Sequence, residues 1–189
     1  MAEPKEKHWR FVKQLLKYIK STRDYSLVYP QLNSTTVIGY SDADHAGDYK
    51  DRKSTSGYVF ILGGCTISWK SQKQKTVSLS STEAEYVALS QSTQEEIWIS
   101  ELITELGYTQ RQVTLCNDNL SAMQSIKNST SHNLCKHIDV RYHFIRDHYS
   151  RGTINLEYIP TDKLVADILT KGVPKNKHNI FMKMLNLIN

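Results

Sequence analysis

Several carboxylates lie where predicted strands end, a placement that suits an acidic metal site better than solvated surface charge. Asp42 continues an alternating apolar row at the end of one predicted strand, and Asp118 follows the apolar segment 113–116. Asp167 stands between core-type residues in the sequence Leu-Val-Ala-Asp-Ile-Leu. Functional groups collect at the carboxyl ends of central strands, so Asp42 and Asp118 would meet if their strands are neighbours. Such close carboxylates repel without a cation between them, and oxygen ligands in a wet cleft favour Mg²⁺ or Mn²⁺ over zinc.

Two of these positions have a neighbouring acid that competes for the same role. Ser80-Ser-Thr-Glu83 matches a capping box, in which the Glu83 side chain returns to the first backbone N–H of the helix. Glu85 is then free to face the site. Asp44 lies beyond the expected strand end in a turn-forming segment, so we favour Asp42.

Each acid also has a purely structural explanation. Asp118 could cap a helix, Asp42 could begin a turn, and Asp167 could pair with Lys163 or Lys171. Taken singly, these explanations are at least as good as a metal site. The convergence of all four acids on one end of one sheet favours the site.

The apolar spacing predicts three successive strands followed by a strand–helix–strand arrangement. A Gly63-Gly64 turn joins the second and third strands into a hairpin. Strands are predicted over residues 36–42, 57–62, 65–69, 113–117 and 153–159, and helices over 9–20, 82–106, 120–127, 138–150 and 164–171, with a further amphipathic stretch at 180–187. A meander followed by crossover connections predicts an α/β fold with a five-stranded mixed sheet flanked by helices.

Composition and charge exclude several classes of protein. The 189 residues are 39% hydrophobic and 23% charged, which is typical of a globular chain. The sequence has no apolar run long enough for a membrane span and no signal-peptide pattern, so neither membrane insertion nor secretion is expected. The three cysteines, Cys65, Cys116 and Cys135, suit free thiols in a reducing compartment. The net charge of +5 includes a segment, residues 76–110, with six Glu and no Lys or Arg, and is compatible with a polyanionic partner.

Seven short motifs follow one another along the chain: Tyr40-Ser-Asp-Ala-Asp44, Asp51-Arg-Lys-Ser-Thr-Ser-Gly-Tyr58, Ser80-Ser-Thr-Glu-Ala-Glu-Tyr86, Lys136-His-Ile-Asp139, Arg141-Tyr-His-Phe144, Glu157-Tyr-Ile-Pro160 and Ala166-Asp-Ile-Leu-Thr-Lys171. As an ordered set, they resemble the ribonuclease H domain of copia-type (Pseudoviridae-like) retrotransposon Pol polyproteins. The resemblance implies a ribonuclease H-like fold, with the sheet strands in the order 3-2-1-4-5. It also implies a domain over residues 34–172, preceded at 1–33 by a helical extension that resembles the end of the reverse-transcriptase region and followed at 173–189 by a helical tail.

The same resemblance implies a metal-dependent endonuclease that cuts the RNA strand of an RNA–DNA hybrid during reverse transcription and leaves 5′-phosphates. Its four acidic positions fall on Asp42, Glu85, Asp118 and Asp167. They would bind two Mg²⁺ ions, which Mn²⁺ could replace, about 3.5–4 Å apart. Asp42 would bridge both ions, Glu85 and Asp118 would hold one, and Asp167 would hold the other.

The chain departs from the family pattern in three places. His45 stands where copia-type sequences usually have Trp, and Gly172-Val173 replaces the common Pro-Leu. Cellular ribonucleases H carry a loop histidine before the last Asp, whereas residues 160–166 contain none. We therefore expect modest turnover.

Basic and polar residues near the predicted strand ends are the expected contacts to the hybrid. The candidates are Lys50, Arg52, Lys53, Ser54, Thr55, Lys70, Lys73, Asn117 and Asn119. Lysine and arginine would bind phosphates, and 2′-hydroxyl contacts would select the RNA strand. Solubilising loop charge is the alternative explanation for the lysines and arginine.

A group of histidine and cysteine residues raises the question of a zinc site. Within seventeen residues lie His132, Cys135, His137, His143 and His148. Their spacing fits no common zinc pattern, so no structural zinc is expected.

The resemblance also sets the expected partners and the rival functions. The expected partners are the hybrid and the reverse-transcriptase domain of the same polyprotein, in a cytoplasmic virus-like particle or in the nucleus. The alternative functions are a non-catalytic or domesticated nucleic-acid-binding tether and a DNA strand-transfer enzyme, and the motifs at 136–139 and 166–171 argue against the latter.

Overall fold

The structure, a computed structural model, describes residues 3–29, 36–108, 112–127 and 136–189, with the backbone alone for 136–139. The strands in these ranges are β1 (Ser26–Leu27), β2 (Val37–Asp44), β3 (Thr55–Leu62), β4 (Cys65–Lys73), β5 (Val113–Asn117), β6 (Ile154–Tyr158) and β7 (Leu187–Ile188). The helices are α1 (Glu6–Thr22), α2 (Ser81–Glu105), α3 (Leu120–Lys127), α4 (Lys136–Ser150), α5 (Asp167–Thr170) and α6 (Lys175–Met184).

The main sheet has five strands in the order β4-β3-β2-β5-β6, which confirms the predicted mixed sheet and its order. Strands β2, β3 and β4 pair antiparallel, whereas β5 runs parallel to β2 and β6 parallel to β5. The turn between β3 and β4 places Gly63 and Gly64 at positive φ, as the predicted hairpin requires. Strand β2 is therefore central, and the carboxyl ends of β2 and β5 lie at the same edge.

Helices cover both faces of this sheet. On one face, α2 and α4 pack over a core that includes Phe60, Leu89, Leu115 and Ile145. On the other face, Val59, Val165 and Phe181 form a smaller core. Burial on both faces explains why β3 is an almost continuous apolar run instead of an alternating one.

Helix α5 is shorter than the predicted helix at 164–171. It has four residues, and the chain before it forms turns in which Leu164, Val165 and Ala166 are all fully buried. Three successive helical residues would point in different directions around the axis, so a turn is the better way to bury all three. Asp167 consequently lies at the start of α5.

The amino-terminal helix differs from the others because none of its residues is buried in the described part of the chain. Large apolar side chains on α1, among them Trp9, Phe11 and Leu15, are more than half exposed. After α1, β1 pairs antiparallel with β7, with Ser26 opposite Ile188 and Leu27 opposite Leu187. Across the described ranges, no helix has both the length and the apolar character needed to cross a bilayer.

A buried glutamate in α2 makes the stability of the fold depend on pH. Glu96 is 0% exposed, its Oε1 accepts a hydrogen bond from Ser100 Oγ at 2.8 Å, and its Oε2 has no hydrogen-bond partner among the described residues. Burial raises the pKa of this carboxyl from 4.5 to about 7. The folded protein therefore binds this proton more tightly than the unfolded chain, and the free energy of unfolding falls as the pH rises from about 4.5 to 7.

We expect Glu96→Gln to raise the free energy of unfolding by about 2 kcal/mol above pH 7 and to have little effect below pH 4.5. The amide keeps an acceptor for Ser100 and removes the buried charge. Urea denaturation at several pH values measures the difference, with the exposed Glu101→Gln as control. A gain that does not change with pH would contradict this explanation.

Candidate active site

Three carboxylates from different elements meet at the carboxyl end of the central strands. Asp42 lies in β2, Asp118 directly follows β5, and Asp167 begins α5. One carboxylate oxygen from each lies within 4.8 Å of the other two. Asp42 is 1% exposed and Asp167 is 0% exposed, whereas Asp118 is partly open to solvent. Parallel pairing of β2 with β5 brings the first two together, as expected from the sequence.

Glu85 lies beside this group and is held by hydrogen bonds from two strands. Its Oε1 accepts a hydrogen bond from the Ala43 backbone N–H at 3.3 Å, and its Oε2 accepts one from Asn117 Nδ2 at 2.9 Å. Asn117 Nδ2 also donates to the Ser41 carbonyl at 3.0 Å. Burial, with a contribution from the charge of Asp42, raises the pKa of Glu85 to about 8. A cation nearby would favour the ionised form.

The two competing acids make different contacts. Glu83 accepts the Leu79 backbone N–H at 2.7 Å, and its own N–H donates to Ser80 Oγ at 3.1 Å. Its capping role agrees with the sequence interpretation, although the Glu83 carboxylate reaches the residue before Ser80 instead of the first N–H of the helix. Asp44 Oδ2 lies so close to Gly47 that a Cβ there would be 1.8 Å away, so this side chain turns toward the loop after β2.

Asp118 does not cap a helix and Asp42 does not begin a turn, contrary to the purely structural explanations for these acids. Asn119 Oδ1, not Asp118, accepts a backbone N–H in the first turn of α3, from Ala122 at 2.9 Å. Asp118 Oδ2 instead accepts a hydrogen bond from Thr161 Oγ1 at 2.5 Å. Asp42 lies inside β2, which continues to Asp44, so it does not begin a turn.

Asp167 does form ion pairs, one of them unexpected. Lys171 Nζ lies 3.0 Å from its Oδ1, which agrees with the pairing considered from the sequence, and Lys177 Nζ lies 2.5 Å from its Oδ2. Lys177 is on α6, in the segment assigned to the carboxyl-terminal tail. Nothing in its sequence context indicates this contact, which depends on how α6 returns to the sheet.

A glycine allows α5 to approach the sheet beside Asp42. Gly57 of β3 is the register partner of Asp42, and a Cβ on it would lie 2.8 Å from Thr170 Cγ2 and 2.9 Å from Leu169 Cβ. Because Gly57 has no side chain, α5 lies close enough to β2 for the Thr170 hydroxyl to donate a hydrogen bond to Asp42 Oδ2. The Ser-Thr-Ser-Gly-Tyr and Ala-Asp-Ile-Leu-Thr-Lys motifs therefore meet at the site.

The electrostatics of the group fit a hard divalent cation. The pKa of Asp42 is raised to about 6, mainly by burial; Thr170 and Lys171 oppose the rise, and the charges of Asp167 and Asp118 contribute to it. Among the described residues, Asp167 Oδ1 is buried and accepts no hydrogen bond, although Lys171 is near. The donors are all carboxylate oxygens, which is the ligand type that Mg²⁺ and Mn²⁺ prefer.

The predicted substrate contacts fall into an exposed set and a buried set. Ser54 and Asn117 are 0% exposed, since Ser54 Oγ accepts the Ala46 N–H and Asn117 holds Glu85. Asn119 is partly exposed and caps α3. The remaining candidates, which are at least partly exposed, are Lys50, Arg52, Lys53, Thr55, Lys70 and Lys73. The side chains of Ser54 and Asn117 therefore have internal hydrogen-bond partners and are not exposed to a substrate.

Lys70 and Lys73 of β4, two of the predicted contacts, line a groove that the sequence analysis does not predict. A cavity of about 560 Å³ lies between β4, α2 and α4, and Lys70, Lys73, Lys75 and Arg141 line it. Asp42 pairs with Gly57 and Gly57 with Ser71, so this part of β4 is two strand spacings, about 10 Å, from Asp42. Lys73 Nζ also lies 2.5 Å from Asp48 Oδ2 and 2.8 Å from Asp51 Oδ2. These two acids of the loop after β2 partly neutralise its charge.

The histidine group can be described only in part. His132 and Cys135 lie outside the described residues, and the side chain of His137 is not among those described. On α4, His143 contacts the ring of Tyr142 and His148 the ring of Phe144, with centroid distances of 5.5 and 4.7 Å. The absence of structural zinc stays a prediction.

Comparison with known sequences identifies relatives over the whole chain. The chain is 40% identical over 187 residues to the retrovirus-related Pol polyprotein from transposon TNT 1-94 of Nicotiana tabacum, and 38% identical over 190 residues to that from transposon RE2 of Arabidopsis thaliana. It covers only 14% and 13% of these two proteins. About half of the chain, 52%, is 50% identical to secreted RxLR effector protein 161 of Plasmopara viticola and covers 70% of it. No family model matches the chain.

Comparison with solved structures identifies the fold. LC11-RNase H1 in complex with an RNA/DNA hybrid superposes with a TM-score of 0.54 at 15% identity, over 71% of this chain and 94% of that one. The foamy viral protease–reverse transcriptase in complex with dsDNA superposes with a TM-score of 0.51 at 13% identity, over 84% of this chain and 30% of that one. The chain has a ribonuclease H-like fold, and over its whole length it is related to one segment of retrotransposon Pol polyproteins.

Proposed function

We propose that this domain is a ribonuclease H, which hydrolyses the RNA strand of an RNA–DNA hybrid in a metal-dependent reaction. The observation that carries the proposal is the convergence of Asp42, Asp118 and Asp167 within 4.8 Å at the carboxyl end of the central strands. Glu85 beside them completes the acidic set. A protein of the same fold, LC11-RNase H1, has been solved with such a hybrid bound, which supports this class of substrate.

The carboxylates have distinct tasks in this proposal. Two Mg²⁺ or Mn²⁺ ions would activate a water for attack on the scissile phosphate and stabilise charge on the leaving oxygen. Asp42, Asp118 and Asp167, whose carboxylate oxygens lie within 4.8 Å of one another, would hold the ions, and Glu85 beside them would complete the ligand set. Thr170 and Asn117 orient Asp42 and Glu85, respectively, through hydrogen bonds to their carboxylates.

The groove beside β4 would carry the hybrid's phosphates. Lys70, Lys75 and Arg141 bring positive charge to one side of the acidic site, and the groove's glutamines, among them Gln91 and Gln94, offer uncharged hydrogen-bond groups. Phosphate contacts position a nucleic acid and make its affinity salt-dependent. In the loop after β2, Lys50 and Arg52 are exposed and extend the basic surface.

We expect Lys70→Ala and Lys75→Ala each to weaken hybrid binding and to lower the slope of log affinity against log salt by about 1. Fluorescence anisotropy between 50 and 200 mM KCl in EDTA measures binding without cleavage. Lys20→Ala, an exposed lysine on α1, is the matched control. A slope that stays at the wild-type value in both groove variants would exclude the groove from phosphate binding.

The direct test of the function is incubation of the protein with an end-labelled hybrid. We expect Mg²⁺ or Mn²⁺ to support cutting of the RNA strand into fragments with 5′-phosphates, and duplex DNA of the same sequence to stay intact. Cleavage that survives EDTA would contradict the metal requirement. Equal cleavage of single-stranded RNA would contradict the specificity for hybrids.

A non-catalytic nucleic-acid-binding module is the second candidate. About half of the chain is 50% identical to a protein named as a secreted effector, and this identity supports the domesticated form of that candidate. Hybrid binding without cleavage in either Mg²⁺ or Mn²⁺ would select this alternative.

The relatives support a proposal for the natural setting of the domain. The chain covers 13–14% of the Pol polyproteins it matches, and the foamy viral neighbour is a protease–reverse transcriptase. We therefore propose the reverse-transcriptase domain of the same polyprotein as its partner. The site of action would be the cytoplasmic virus-like particle, with the nucleus as the alternative.

A further inference from the structure

Two lysines contact the acidic site in different ways. Lys171 Nζ lies between two of the acids, 3.0 Å from Asp167 Oδ1 and 3.6 Å from Asp42 Oδ2. No hydrogen bond from the described residues reaches Asp167 Oδ1, so the Lys171 contact is an ionic one without hydrogen-bond alignment. The Lys171 side chain is 36% exposed and can turn into solvent.

Lys177 is held much more firmly. Its Nζ lies 2.5 Å from Asp167 Oδ2, donates to the Thr161 carbonyl at 2.7 Å, and lies 5.1 Å from the centre of the Phe181 ring. Three contacts from separate parts of the chain fix this ammonium group. It holds Oδ2 of Asp167, whereas Oδ1 of the same carboxylate is the atom that Lys171 contacts.

We propose that Lys171 is a resident counter-cation that occupies the space between Asp42 and Asp167 and leaves it when a divalent ion binds, while Lys177 stays in place. The inference rests on the proposed metal-dependent function and adds a positioning role for a residue outside the four acids. The ammonium group screens the repulsion between buried carboxylates and so keeps the ligands close together without an ion.

The physical basis is competition for the same oxygen atoms. Both Lys171 and a divalent ion are attracted by Asp42 and Asp167, and two cations cannot share the space without repulsion. The doubly charged ion gains more from the buried carboxylates, whereas the ammonium group has an exposed alternative position. Lys171 therefore lowers the affinity for the ion but stabilises the ion-free site.

The first measurement is Mn²⁺ affinity by isothermal titration calorimetry on the whole 189-residue chain. We expect Lys171→Met to bind Mn²⁺ roughly three- to tenfold more tightly than wild type, and to melt at a lower temperature when metal-free. Lys175→Met removes an exposed charge of α6 and controls for the general change in charge. Lys171→Arg keeps the charge and should stay close to wild type.

The second measurement follows the two ammonium groups directly. Trace acetylation with acetic anhydride, read by mass spectrometry, should label Lys171 severalfold more in saturating Mg²⁺ than in EDTA. Labelling of Lys177 should not change.

The inference is overturned if Lys171→Met binds Mn²⁺ no more tightly than Lys175→Met, or if Mg²⁺ leaves Lys171 labelling unchanged. Wild-type protein that binds no Mn²⁺ would overturn both this inference and the proposed function. If Mn²⁺ binding and Lys171 labelling behave as expected but the hybrid is not cleaved, only the proposed function is overturned.

Discussion

Asp42→Asn is expected to abolish hybrid cleavage, by roughly 10³-fold or more, while leaving the metal-free protein at least as stable as wild type. Asp42 is 1% exposed, and one of its carboxylate oxygens lies within 4.8 Å of an oxygen of Asp118 and of an oxygen of Asp167. Because burial raises its pKa from 3.8 to about 6, the ionised form destabilises the metal-free fold above pH 6. A neutral amide removes that cost and can still accept the hydrogen bond from Thr170.

The same variant should respond less to metal. An ion that binds only the folded state stabilises it by about 2.7 kcal/mol at a hundredfold excess over Kd. Thermal melting of wild type with millimolar Mg²⁺ should show this gain, and Asp42→Asn should show a smaller one. Asp44→Asn is the matched control, since Asp44 turns toward Gly47. If Asp44→Asn loses the Mg²⁺ response and Asp42→Asn keeps it, the ligand assignment is wrong.

Glu85→Gln is expected to abolish cleavage as well, and to stabilise the metal-free protein at pH 8 by about 2 kcal/mol. Burial raises the pKa of Glu85 from 4.5 to about 8, so the free energy of unfolding falls as the pH rises between these values. Gln removes the contribution of residue 85 to the pH dependence of stability, but it brings an N–H group toward the donors Ala43 N–H and Asn117 Nδ2. That unfavourable contact offsets part of the gain.

The comparison variant is Glu83→Gln, two residues earlier in α2. Glu83 accepts the Leu79 N–H, so its replacement should cost about 0.5–1 kcal/mol of stability and leave cleavage close to wild type. Urea denaturation at pH 5 and 8, together with the hybrid assay, separates the two residues. A cleavage defect in Glu83→Gln with normal activity in Glu85→Gln would reverse their assignments.

The central part of the site could be predicted because it depends on local patterns and on sheet topology. Capping separates Glu83 from Glu85, and parallel neighbouring strands bring Asp42 and Asp118 together whatever the details of packing. The strand order of the sheet, which the structure confirms, was implied by the family resemblance and not by these patterns.

The remainder depends on contacts that sequence patterns do not encode. Lys177 reaches Asp167 only because α6 returns to the sheet beside α5. Ser54 and Asn117 are polar residues near strand ends, but internal hydrogen bonds bury them, and polarity alone does not distinguish a buried hydrogen bond from a substrate contact. The predicted length of α5 was wrong because the apolar residues before Asp167 are compatible with a helix from sequence alone, and their complete burial is known only from the structure.

The small sheet of β1 and β7 has a consequence for the order of folding. The hydrogen bond from Asn186 Nδ2 to the Val28 carbonyl spans 158 residues, so this pairing closes a loop that contains nearly the whole described fold. Closing a flexible loop of that length costs about 4–5 kcal/mol of chain entropy beyond a constant. Two residue pairs, Ser26 with Ile188 and Leu27 with Leu187, cannot offset that cost in an unfolded chain. The five-stranded sheet must therefore form first and bring the two segments together, which makes the pairing a late step in folding and an early one in unfolding.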